Sequence, residues 1–84
     1  MQQVILFLGG LINKKCNIRI TGFIQINITI EELKYELKND VLEMRDKRGS
    51  NYIKININQI YNINKTQKIE LFLDNDTVIT IDKY

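Results

Sequence analysis

Apolar and polar residues alternate along much of this chain. Ile24, Ile26, Ile28 and Ile30 alternate with Gln25, Asn27 and Thr29, and Ile53, Ile55 and Ile57 alternate with Lys54, Asn56 and Asn58. Successive side chains of a strand point to opposite faces, so a period of two marks a half-buried strand. The pattern predicts strands over residues 16–20, 23–30, 41–46, 52–57, 69–73 and 77–81. Thr21 and Gly22 mark a bend between the first two. Asp74, Asn75 and Asp76 tolerate the positive φ of a tight turn, so the last two strands form a hairpin. Ile57, Ile60 and Ile63 recur every third residue and predict a tight turn between short strands.

Two segments carry more than one pattern. In residues 3–12, Val4, Phe7, Leu8 and Leu11 share a helical face, yet Val4 to Leu8 is also a continuous apolar run closed by Gly9 and Gly10. The reading adopted is a short helix that stops near Asn13, because asparagine tolerates the left-handed conformation of a helix end. In residues 29–40, Thr29 and Glu32 fit a capping box, and Ile30, Leu33, Leu37 and Val41 line a helical face. Leu33, Tyr35 and Leu37 also alternate with charged residues, and Asn39 and Asp40 suit a hairpin turn. Helix and hairpin both stand at this point. Short strands with short connections predict a mainly β domain, a small antiparallel barrel of the SH3-like or Sm-like kind with one or two short helices. The alternative is α+β, with a helix at about 29–40 packed on a curled antiparallel sheet.

Eighty-four residues form a single domain, 1–84. The net charge of +2, with both signs interspersed, is too mild to indicate nucleic acid by itself. The first apolar run is too short to span a bilayer and lacks the basic start of a signal peptide, so no membrane partner is expected. A lone cysteine, Cys16, forms no internal disulfide, and a reduced, cytoplasmic location follows as the expectation. Histidine, proline, tryptophan and alanine are absent while Ile, Asn and Lys abound, as an AT-rich coding sequence would produce. Asn27, Asn56 and Asn58 are therefore read as filler on a solvated face.

The candidate chemistry is sparse. Without histidine, Cys16 has neither the co-ligands of a structural zinc site nor the base of a nucleophilic thiol. Asp74 and Asp76 lack the central glycine and late acid of a calcium loop. Glu31, Glu32 and Glu36 read as a solvated face. No catalytic residue, metal, cofactor or small-molecule substrate is expected, and the chain is not read as an enzyme.

The loop Asp46, Lys47, Arg48, Gly49, Ser50, Asn51, followed by Tyr52, is the one segment with a binding character. Cations neutralise phosphates, a glycine lets backbone approach closely, and a tyrosine stacks on a base. Residues 48–53, Arg-Gly-Ser-Asn-Tyr-Ile, resemble the second sequence motif of Sm-like RNA-binding proteins, and residues 17–24 resemble the opening strands of that family. The resemblance implies an oligomeric RNA-binding barrel in which Lys47, Arg48, Asn51 and Tyr52 meet RNA and Lys14 and Lys15 neutralise its backbone. The first expectation is different: a small module that works by protein–protein contact or self-association. Such modules include regulators, assembly components and the inhibitors carried by phages and other mobile elements.

Overall fold

A computed structural model describes all residues, Met1–Tyr84. One helix, α1 (Gln2–Gly9), precedes eight strands: β1 (Cys16–Thr21), β2 (Ile26–Ile30), β3 (Leu33–Lys38), β4 (Val41–Asp46), β5 (Tyr52–Asn56), β6 (Ile60–Lys65), β7 (Ile69–Leu73) and β8 (Val78–Lys83). They form two antiparallel sheets, one ordered β2-β1-β8-β7-β6 and the other β3-β4-β5. The fold is mainly β, as the alternation predicts. The strand ladders divide into a five-stranded and a three-stranded sheet, and no continuous ladder closing them into one barrel is detected.

A single apolar cluster joins the layers. Ile18, Leu71 and Ile81 from the larger sheet meet Leu33, Leu42 and Met44 from the smaller one, all fully buried; α1 adds Val4, Phe7 and Leu8, and Leu11 joins them just after the helix. The helix stops at its glycine pair rather than at Asn13. Asn13 does take a left-handed φ of 63°, but in the connection to β1. There its N–H donates to the Leu33 carbonyl at 3.0 Å, and the Leu33 N–H donates to Lys14 at 3.1 Å. These bonds tie the segment carrying Lys14 to the start of β3.

The helix at 29–40 is not formed, which overturns the α+β alternative. Every residue of β3 pairs with β4, from Leu33 opposite Asp46 to Lys38 opposite Val41. Asn39 and Asp40 both have positive φ, 53° and 63°, the signature of a two-residue type I′ hairpin turn. Glutamate and lysine favour a helix locally, but the paired strand buries Leu33 beside Leu42 and Met44, and that burial outweighs a propensity of tenths of a kcal/mol per residue. Between β2 and β3 the chain passes from one sheet to the other at Glu31 and Glu32.

Several strand limits also move; β1 runs on to Thr21, and β8 starts at Val78 and runs on to Lys83. Residues 23–25 lie outside β2, and Phe23 is fully exposed. After β5, a 3₁₀ turn at Ile57–Gln59 accounts for the threefold isoleucine spacing, and Asn56 caps it by accepting the Asn58 N–H at 2.9 Å. No helix is long and apolar enough to cross a membrane.

Candidate functional site

Residues 47–51 are the β4–β5 hairpin connection, Tyr52 opens β5, and Asp46 organises the turn. Its carboxylate accepts from the Ser50 N–H at 2.9 Å and the Ser50 hydroxyl at 2.7 Å. Its carbonyl accepts the Gly49 N–H at 3.0 Å, and its own N–H donates to Asn51 at 3.0 Å. Gly49 has a φ of +74°, a conformation that costs a side-chain-bearing residue strain. The Arg-Gly-Ser-Asn run thus has a structural reason in this turn.

Asp46 is buried, and the Ser50 hydroxyl bond, helped by loop N–H groups, holds its carboxyl below the ordinary value of 3.8 against the opposing effect of burial. A lowered folded value means that the unfolded chain takes up the proton first as pH falls. The stability Asp46 contributes is therefore present at neutral pH and is lost as pH falls below 3.8 and through the folded value. Urea unfolding from about pH 5 down to about pH 2.5 should show a smaller acid loss for Asp46→Asn than for the native chain. Parallel curves would remove Asp46 as the organiser of this turn.

Lys47, Arg48 and Asn51 come together along a cleft of about 340 Å³, facing Glu31, Glu32 and Thr29 on the β2–β3 corner. Lys47 lies 3.8 Å from Glu32, and the Asn51 amide reaches the Thr29 carbonyl at 3.5 Å. Tyr52 does not line this cleft. It is exposed on β5, with the Lys54 ammonium 5.9 Å from its ring centre. Counting Asp46, the cleft carries three carboxylates against two cations, so its charge is mixed rather than cationic as the loop alone suggests.

Lys14 and Lys15 lie in a neighbouring cleft of about 330 Å³ with Gly10, Leu11, Lys83 and Tyr84. The two clefts meet where Lys15 approaches Glu31 at 4.0 Å. Lys83 and Tyr84 were not singled out by sequence reasoning, although Lys83 continues the inward-facing series of Ile79 and Ile81. No protein-family model, curated protein or solved structure matches this chain.

Proposed function

We propose that this chain is a non-catalytic binding module that acts through protein–protein contact, taking an extended partner segment along the free edge of β2. The observation that carries this reading is the absence of charge there. Of the four sheet edges, β3 carries Lys34, Glu36 and Lys38, β5 carries Lys54, and β6 ends in Lys65, whereas residues 23–30 hold no charged side chain. Charges on edge strands guard against pairing with other chains, and β2 lacks that guard. Phe23, Ile24 and Ile26 are exposed beside it, at 104%, 63% and 44%. An added strand would cover them and complete the ladder, the mode known as β-augmentation.

Charge favours a foreign strand over a second copy. An antiparallel self-pair centred on Asn27 sets Glu31 against Phe23 and Glu32 against Gly22, leaving the acids unmatched. A partner strand with a basic residue at its N-terminal end matches them. In this reading β2 and β3 act as one strand bent at Glu31 and Glu32, after the manner of SH3-like and Sm-like barrels. RNA binding through Lys47, Arg48, Asn51 and Tyr52 is the weaker alternative, because Lys47 already faces Glu32 and the cleft is mixed in sign.

Selection from a displayed peptide library tests the proposal. The enriched peptides should alternate apolar residues after a basic start. Strand alternation turns the Asn27 N–H to the same side as the outward Thr29 carbonyl, so Asn27→Pro removes an outward donor and spares the ladder to β1. Binding should be lost in Asn27→Pro and in Ile24→Lys. Peptides that bind both variants unchanged, or a stable dimer in light scattering with β2 protected from exchange, would overturn the foreign-strand reading.

A further inference from the structure

The end of the molecule around the C-terminus of α1 concentrates positive charge that the sequence scatters. Lys14, Lys15 and Lys83 line the cleft with Tyr84, and Lys83 and Lys65 line an adjoining groove with Leu6, Phe7 and Gly10. Gly10 and Lys83 belong to both, so the two form one continuous trough. Pairing explains the convergence. Lys65 sits opposite Ile69, and Ile69 sits opposite Ile81, while Lys83 lies one inward position beyond Ile81 and directly opposite Cys16. Lys14 and Lys15 immediately precede Cys16.

The fold's own needs do not absorb this charge. Among these four lysines only Lys15 has a carboxylate partner, Glu31 at 4.0 Å. The C-terminal carbonyls of a helix amount to roughly half a negative charge. Four cations against one carboxylate and that half charge leave an excess of about two and a half positive charges. A terminal carboxylate on Tyr84 would remove one of these and still leave an excess. No carboxylate side chain lines the trough.

Tyr84 gives the trough a second kind of contact. The Lys15 ammonium sits 3.7 Å from the centre of its ring, while the side chain stays 75% exposed. One ring face is held by a cation and the other is open to a flat, stackable group. A polyanion with π-faces is a single-stranded nucleic acid: phosphates follow a cationic groove and bases stack on an aromatic ring. An anionic membrane fits less well. α1 turns Val4, Phe7 and Leu8 into the core and leaves Leu6 as its one strongly exposed large apolar side chain.

We infer that this trough binds single-stranded nucleic acid, with Lys14, Lys15, Lys65 and Lys83 on the phosphates and Tyr84 stacked on a base. The site is separate from the β2 edge, so failure of one leaves the other standing. Fluorescence anisotropy with labelled oligouridylate and oligothymidylate of about 20 nucleotides tests it. At about 0.7 in salt slope per phosphate contact, four contacts weaken binding about 50-fold between about 50 mM and about 200 mM salt. Lys65→Ala with Lys83→Ala should roughly halve that slope, and Tyr84→Ala should weaken binding about tenfold without changing it. Lys47→Ala with Arg48→Ala should leave affinity within about twofold. Three results would overturn the inference: no anisotropy change at low salt, equal competition by polyglutamate or by phosphatidylserine vesicles, or loss confined to the Lys47 and Arg48 pair.

Discussion

Replacing Leu8 with alanine should bring this protein to the margin of folding. Leu8 is fully buried on α1 and belongs to the same apolar cluster as Ile18, Leu42 and Ile81. Leucine-to-alanine changes in cores cost about 2–5 kcal/mol, because the lost methyl groups leave a cavity that the surroundings only partly fill. A domain of 84 residues has about 4–12 kcal/mol in total, at about 0.05–0.15 kcal/mol per residue. The substitution therefore removes a large fraction of that stability. Leu6 is the internal control, one turn face away and 68% exposed. Leu6→Ala should stay within about 0.5 kcal/mol. Urea midpoints at an unchanged slope separate the two. Equal midpoints for Leu6→Ala and Leu8→Ala would mean that α1 does not dock on the sheets.

That contrast shows what alternation conveys and what it omits. In β5 the period of two gives both face and burial, since Ile53 and Ile55 are buried and Lys54 is exposed. In β2 the same isoleucine pattern gives only the face. Ile30 is buried, Ile28 is half-buried and Ile26 is open, because an edge strand runs out from under the opposing layer. The 29–40 segment carried two periodicities, and pairing with β4 decided between them, which no local property of Leu33 or Tyr35 reveals. Asn13 and Asn39 hold the positive φ that their place in the sequence suggests, whereas Asn56, read as filler, caps the 3₁₀ turn, so three asparagines hold local backbone geometry whatever biased their codons.

The candidate sites divide in the same way. The basic 47–52 loop was visible as a run, but its opposing acids come from the β2–β3 corner, and only the fold brings Glu32 to Lys47. Of the lysine trough only Lys14 and Lys15 were visible, and their convergence with Lys65 and Lys83 was not. Lys14 and Lys15 stand near one end of the chain and Lys65 and Lys83 near the other, and they meet because β8 pairs with β1. Charge counted along the sequence came out balanced at +2, while the charge on the folded surface is sorted into a mixed cleft and a cationic one.

Cys16 should react with a thiol reagent only when the whole domain opens. It is fully buried in β1, between β2 and β8, and burial pushes its thiol up to about 11 from an ordinary 9.0. The thiolate is the reactive form, so at about pH 8 the shift alone slows reaction about 100-fold. Access matters more. With no exposed surface, labelling proceeds through the open state, and a stability of about 4–12 kcal/mol suppresses it by about 10³ to 10⁹. Urea above the midpoint should restore the rate of a free cysteine. Leu8→Ala should raise the native rate by about 30-fold or more, since both residues share one core and the cost of about 2 kcal/mol or more acts on the same opening. Alkali should act in the same direction. Below 9.0 both states keep the thiol proton, whereas between 9.0 and about 11 only the unfolded chain loses it, so Cys16 makes stability fall as pH rises through that window. Rapid labelling in buffer, unchanged by urea or by Leu8→Ala, would mean that β1 opens on its own and that the two sheets do not share a single cooperative core.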